Sequence, residues 1–294
     1  MIGHRNQDAS RSMSDTGIDL GAYFIRIGYH GPTGPTLAVL SALIASHTAS
    51  IAFENIDPLA NRMPALEWHA LQAKMIGRRR GGYCYEQNTL LLEVLLAVGF
   101  TVDGLMARVC RGVPPGRVSS RTHMVLLVTL PEGPYIADVG FGGLTPTAPL
   151  ALRMDTPQPS PNETYRFMAT DRDITLQAAI ANGWEDVYRF TTEPHFPIDY
   201  HVANWFNATH PQSLFVGNLL VTRPLPGERR TLFNRHYTRR SLNEPVERRV
   251  MRSREDYRQV LHDAFDLGVT EDELDPVISA MQRHDADRAE ERFG

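Results

Sequence analysis

The residue types that chemistry needs meet most densely at Arg80-Gly81-Gly82-Tyr83-Cys84-Tyr85-Glu86-Gln87-Asn88, where a lone cysteine lies between a glycine pair and an apolar run. Thr89 to Val98 are strong helix formers, and Gly99 supplies a stop, so the pattern predicts a buried helix from about Cys84 to Val98. Cys84 then falls in the first turn. There the unpaired backbone N–H groups and the positive end of the helix dipole stabilise a thiolate, the nucleophilic form of cysteine. Gly81 and Gly82 allow a sharp turn into the helix and leave room beside the sulfur. A buried, inert cysteine that packs as a small hydrophobe is the competing reading.

A thiolate at neutral pH needs a base, and the base needs an acceptor that orients it. His123 opens the apolar strand Met124 to Val128, and Asp138 stands alone in the otherwise apolar Tyr135-Ile136-Ala137-Asp138-Val139-Gly140-Phe141. A carboxylate in such a strand requires a donor, and an imidazole Nδ1–H from the neighbouring strand is an economical one. The turn Pro131-Glu132-Gly133-Pro134 makes the two segments a hairpin, with an offset that a bulge or twist must absorb. Thr122 precedes the histidine. Gly142 and Gly143 follow Phe141 and allow a ligand to approach backbone amides, although these residues alone leave a plain loop open. Phe53, Val109, Phe141 and Phe206 are candidates for an apolar pocket wall. His195, Asp199 and His201 have a spacing that suggests metal, but Pro194 and Pro197 break any helix that would align them, so no metal is expected.

These residues must be positioned by a mixed scaffold. Helices are expected at 18–27, at 36 to about 46, at 66–76 and at 84–98; strands are expected at 105–110, 122–130, 135–141, 163–169, 173–180, 187–191, 214–222 and 230–239. The resulting class is α+β. Residues 1–17 read as a disordered tail, 18–100 as a helical part carrying the cysteine, 101–210 as a β-rich part carrying histidine and aspartate, and 211–294 as a third part. That third part ends in a polar, exposed helix after Thr270. Arg26 and Glu54 are both embedded in apolar context, where charge is tolerated mainly when paired, and are expected to pair with each other.

Composition narrows the classes. The chain is 42% hydrophobic and 22% charged with a net charge of −4, so nothing favours a nucleic-acid partner. Lys74 is its only lysine. Two cysteines, Cys84 and Cys110, cannot build a disulfide framework or a four-ligand zinc site, and no run reaches the roughly 18 apolar residues of a membrane span. A cytoplasmic protein without a membrane partner is expected, with a homodimer left open.

The sequence resembles the arylamine N-acetyltransferase family, prokaryotic type, over most of residues 18 to about 240. The carrying motifs are Arg80 to Asn88, Thr122-His123-Met124-Val125 and Ala137 to Gly143, with Tyr23-Phe24-Ile25-Arg26-Ile27-Gly28-Tyr29, Gly34-Pro35-Thr36-Leu37 and Phe53-Glu54-Asn55 before them. Ala52 stands where the family usually has proline, and Ala208 where it tends to have serine. The resemblance implies a helical bundle, a β-barrel and an α/β lid related to papain-like and transglutaminase cores. It also implies a Cys84–His123–Asp138 triad, a supporting network with Arg26, Glu54, Arg80 and Glu86, and an aromatic pocket including Phe53, Phe141 and Phe206. The activity implied is two-step transfer of acetyl from acetyl-CoA to an arylamine or arylhydrazine, with Thr122, Gly142 and Gly143 near the co-substrate. The rivals are an amide synthase acting on another thioester, a thiol hydrolase or transglutaminase-like enzyme, and a non-catalytic binding module.

Overall fold

Helix caps and apolar stripes fix the N-terminal elements of the computed structural model, which describes residues 17–293 apart from 115, 171, 182 and 243, with side chains as far as Arg283. The expected tail therefore lies almost wholly outside the described residues. Helix α1 (Leu20–Ile27) starts where Asp19 accepts the Ala22 N–H at 2.9 Å and stops at Gly28, whose φ of 65° is left-handed. Helix α2 (Leu37–Ser50) is capped by the Thr36 hydroxyl and runs on past Ser46, because His47 and Thr48 are buried on its inner face. The single helix expected at 66–76 is instead two pieces. After the short helix α3 (Ile56–Leu59), α4 (Trp68–Leu71) passes into a π-helical turn over Gln72–Gly77. Helix α5 (Cys84–Val98) begins and ends where the apolar run does, with Gly99 at a φ of 101°.

The β-rich region is an eight-stranded antiparallel sheet. Its strands are β2 (Thr101–Val109), β3 (Arg121–Leu130), β4 (Gly133–Ala137), β5 (Leu150–Ala151), β6 (Gln158–Pro159), β7 (Thr164–Ala169), β8 (Ile174–Ile180) and β9 (Gly183–Phe190), in the order β5-β4-β3-β2-β9-β8-β7-β6. The two edge strands come together where Gln158 Nε2 donates to Ala151 O at 2.8 Å, so the sheet nearly closes as a barrel. Strand β3 is apolar on both faces for a reason. Met124, Leu126 and Val128 pack against the helices, while Val125 and Leu127 join Leu105, Phe167 and Phe190 inside the barrel.

A second sheet joins β1 (Phe53–Glu54) to β10 (Leu220–Leu225), β11 (Glu228–Phe233), β12 (His236–Ser241) and β13 (Glu247–Val250), all antiparallel. Three expectations change here. Residues 214–222 are not one strand, because Ser213 accepts the Phe215 N–H and starts the helical turn α7 (Leu214–Gly217) before β10. The segment 230–239 is a hairpin turning at Asn234, which takes a positive φ of 51°. The C-terminal helix is not exposed along its first half. After α8 (Arg254–Asp263), α9 (Glu271–Phe293) buries Leu274, Val277, Ala280 and Met281 against Tyr257, Leu261 and the second sheet.

Helix α6 (Pro197–Thr209) was not expected at all. Pro197 occupies its first turn, where a missing N–H costs nothing and the fixed φ suits the helix. Asp199 completes the start by accepting the Phe196 N–H at 3.0 Å.

Because α9 is anchored by apolar burial, Leu274→Ala is expected to lower the free energy of unfolding by about 2–5 kcal/mol. Urea denaturation measures it, and a change below about 1 kcal/mol would show that the helix is peripheral to the core.

Candidate active site

Each glycine of the Arg80-Gly81-Gly82 segment has a steric reason. A Cβ on Gly81 would lie 2.1 Å from the Ala52 carbonyl oxygen and 2.8 Å from Glu54 Cγ, and one on Gly82 would lie 2.9 Å from Glu86 Oε2. The absent side chains let the segment lie against β1, where Glu54 N donates to Gly82 O at 3.1 Å. Beneath it, Arg80 is fully buried and donates from Nε and Nη2 to Glu54 Oε1 at 3.0 and 2.7 Å, while its Nη1 reaches Glu273 on α9. Glu86 accepts the Tyr83 N–H at 3.1 Å and so caps α5. Gln87 ties the loop before β1 by donating to the Ala52 carbonyl at 2.8 Å, so the alanine at the usual proline position is held by hydrogen bonds. Ala208, the second departure from the family pattern, is buried on α6.

The expected Arg26–Glu54 pair is not formed. Arg26 donates to the Met75 carbonyl at 3.0 Å and lies 3.4 Å from Asp266, whereas Glu54 belongs to Arg80 and, at 3.8 Å, to Lys74. The physical reason is proximity: Gly81 and Gly82 bring Arg80 directly onto β1, and Asp266 arrives from a part of the chain 240 residues beyond Arg26.

Cys84 is the first residue of α5 and is 3% exposed, enough to open onto a cavity of about 680 Å³. No carbonyl of the helix reaches an amide at this position. A Cβ on Gly140 would lie 2.8 Å from Cys84 Cα, so this glycine allows the chain after β4 to close over the helix start. The hairpin register pairs Leu126 with Ala137, which places Asp138 diagonal to His123 just where the chain leaves the ladder. That departure supplies the twist that the offset requires. His123 Nε2 and Asp138 Oδ2 are 2.8 Å apart, both side chains being buried. The contact uses Nε2 and not the expected Nδ1, which leaves Nδ1 for the thiol. Burial disfavours the imidazolium, but the Asp138 charge and hydrogen bond, together with the Cys84 side chain, outweigh it and push His123 up to about 10.

Asp138 is held as firmly as it holds. Its Oδ1 accepts from Asn88 Nδ2 at 3.0 Å and from the Gly140 N–H at 2.8 Å, and Asn88 Oδ1 accepts the Val139 N–H at 3.0 Å. Phe141 and Tyr188 flank the imidazole, with ring centroids at 5.2 and 5.1 Å. Tyr188, on β9, was invisible in the sequence because only the long-range pairing of β9 with β2 brings it to this place.

Phe53, Val109, Thr122, Phe141 and Gly143 line the cavity with Cys84 and His123. Phe206 does not. Helix α6 turns Tyr200, Ala203, Asn204 and Asn207 inward, and Phe206 instead lines a separate groove, stacked on His210 at 4.4 Å. Phe215 takes the expected place, in contact with the rings of Phe53 and Tyr83 at 6.0 and 5.6 Å. Gly142 is also displaced from its expected role, since its N–H donates to Thr145 Oγ1 at 2.7 Å. Helix α6 acts on the site through its asparagines: Asn207 Nδ2 donates to the Thr122 carbonyl at 2.9 Å, the same oxygen that lies 3.6 Å from Cys84 Sγ. His195 and Asp199 are engaged elsewhere, with Arg121 and with the Phe196 amide. Among the described residues no helix is long and apolar enough to cross a membrane.

A cysteine at a helix start, beside an imidazole oriented by a buried carboxylate, is an arrangement suited to acyl transfer through a thioester. Comparison with known proteins points the same way. The family model described as N-acetyltransferase matches residues 36–274. The arylamine N-acetyltransferase of Mycolicibacterium smegmatis is 45% identical over 208 residues, covering 69% of this chain and 76% of that protein. That of Escherichia coli K12 is 38% identical over 273 residues, covering 90% and 97%. The structure of Mycobacterium marinum arylamine N-acetyltransferase in complex with CoA superposes with a TM-score of 0.85 at 38% identity, covering 90% of this chain and 99% of that one. With the family model matched over residues 36–274 and with these relatives matched over 76% to 99% of their own lengths, the chain belongs to the arylamine N-acetyltransferase family.

Proposed function

We propose that the protein transfers an acetyl group from acetyl-CoA to the nitrogen of an arylamine or arylhydrazine in two steps, with Cys84, His123 and Asp138 as the catalytic residues. The observation that carries this reading is the 2.8 Å His123–Asp138 contact, which leaves the second imidazole nitrogen to the thiol at a helix N-terminus. The Cys84 thiolate attacks the thioester carbonyl, and collapse of the tetrahedral intermediate expels the CoA thiolate, which takes the imidazolium proton, leaving acetyl-Cys84. The amine then attacks the acetyl carbon, His123 accepts its proton, and the Cys84 thiolate leaves. Asp138 holds the imidazole in one orientation and stabilises its charged form.

The Cys84 N–H, free of any helical acceptor, is the donor placed for the oxyanion. Phe53, Val109, Phe141 and Phe215 offer an aromatic amine apolar burial and edge contacts. Thr122, Gly143, Arg111 and Arg240 line the same cavity and are our candidates for contacts with the polar part of CoA. Residues 18–100, 101–210 and 211–294 form the helical, barrel and lid parts of this reading, with a core of papain and transglutaminase type. A cytoplasmic location accords with the two free cysteines. Sedimentation velocity decides the homodimer.

Incubation with acetyl-CoA is expected to add one acetyl group to the intact mass, and Cys84→Ala to abolish it. No acetyl adduct on the wild type overturns the reading, and rapid discharge of the adduct by water without an arylamine makes the protein a hydrolase. The histidine also predicts a pH dependence of stability. An imidazole held up to about 10 when folded, against about 6.5 when unfolded, keeps a proton that the unfolded chain has lost between those values. Its stabilisation is therefore complete below about pH 6.5 and lost as pH rises through about 10. The stability gap between wild type and His123→Gln, read by urea denaturation, is expected to narrow over that window; a widening gap contradicts the ion pair.

A further inference from the structure

Behind the nucleophile, on the side of α5 away from the cavity, lies the one lysine of the chain. Lys74 is buried and its ammonium lies 2.7 Å from Glu86 Oε1, 2.6 Å from Asp57 Oδ2 and 3.8 Å from Glu54 Oε1. Burial opposes its charge, yet the three carboxylates outweigh that and hold it above the ordinary lysine range. The neighbouring charges are committed elsewhere. Arg80 is shared between Glu54 and Glu273, with Asp57 at 3.7 Å, while Arg78 pairs with Glu273 at 3.5 Å and Arg62 with Asp57 at 3.3 Å. Lys74 is the only cation in hydrogen-bond contact with Glu86 among the described residues.

Glu86 has one oxygen on Lys74 and the other on the Tyr83 N–H, 3.1 Å away, and Tyr83 is the residue that delivers Cys84 to the start of α5. We propose that Lys74 is a positioning residue for the nucleophile: it pairs with Glu86 and holds it in orientation, and Glu86 in turn fixes the N-cap amide that sets the place of Cys84. This rests on Cys84 being the acyl acceptor. Without the ammonium, Glu86 would face Glu54 and Asp57 with no counterion, and a buried carboxylate so placed protonates or swings away. A swing releases the Tyr83 amide and protonation leaves it a weaker, neutral acceptor, and displacements of about 1 Å at a reacting atom cost rates as much as a hundredfold.

The charge argument makes a specific demand. A glutamine at position 86 keeps a carbonyl oxygen for the Tyr83 N–H and needs no counterion, so it should relieve the loss of Lys74. Two rates are read on each variant: acetylation of Cys84 by acetyl-CoA, resolved into saturation constant and limiting rate, and alkylation of Cys84 by iodoacetamide. Lys74→Met is expected to slow both by about tenfold or more, with the acetyl-CoA saturation constant little changed because the cavity lies on the other side of the helix. Lys74→Arg, which keeps the charge, should retain most of both rates, and the double variant K74M/E86Q should recover to within about threefold of wild type.

Rates for Lys74→Met within about twofold of wild type overturn the proposal. So does a double variant no faster than Lys74→Met, because that outcome assigns Lys74 to packing alone. If Lys74→Met fails to fold, the double variant decides: near-wild-type rates uphold the charge argument, and slow rates sink it. Should the wild type take no acetyl group, the acyl-transfer reading fails by itself, and the alkylation rates still test the positioning.

Discussion

A buried arginine sets the conditions for everything around Cys84. Arg80 has no exposed surface, and a guanidinium in that position is sustained only by carboxylates with good geometry. Glu54 comes from β1 and Glu273 from the first turn of the last helix, so one side chain fastens the glycine segment, the second sheet and the C-terminal part together. Gly81 makes the approach feasible, since any side chain there would meet the Ala52 carbonyl. The start of the cysteine helix is thus fixed by a residue almost two hundred positions later in the chain. A local motif in the sequence is a long-range device in the fold.

The opposite side of the thiol is organised by a carboxylate instead. Asp138 accepts from Asn88, the Gly140 amide and His123, which uses both its oxygens and leaves the imidazole little freedom to rotate. Asn88 reaches it from the same helix that carries Cys84, one turn on, so Cys84 and Asp138 are referenced to one rigid element. This explains why a short strand can carry so exact a role: β4 ends at Ala137, and Asp138 is held by side-chain and amide donors and not by the ladder.

The Cys84 helix and the His123–Asp138 contact were legible because their signals are local. A thiol at a helix start, a histidine and an aspartate each isolated in an apolar strand, and glycines at close approaches can be read within a few residues. The Arg26 partner could not be read that way, since Asp266 and Glu54 are equally plausible acids until the chain is folded. Pro197 misled for a different reason. Proline breaks a helix interior but favours a first turn, and only the inward rhythm of Tyr200, Ala203, Asn204 and Asn207 tells the two apart. Ser213 likewise carried a cap signal that the apolar Leu214-Phe215-Val216 and Leu219-Leu220 concealed.

The exchange of Phe206 for Phe215 alters what the cavity is. Val109, His123 and Phe141 belong to the barrel or to the loop at its rim, whereas Phe215, Thr222, Thr231 and Phe233 belong to the second sheet and the turn that leads into it. A ligand that reaches Cys84 therefore lies between two sheets. The separation of those sheets is set by contacts remote from the thiol, such as Arg229 of β11 pairing with Glu163 beside the barrel and donating to the Thr145 carbonyl at 2.8 Å. Had Phe206 formed the wall, α6 would have supplied it. Because Phe215 forms it, the width available to an aromatic acceptor depends on how the C-terminal part docks, and Glu273 on Arg80 couples that docking to the position of Cys84 itself.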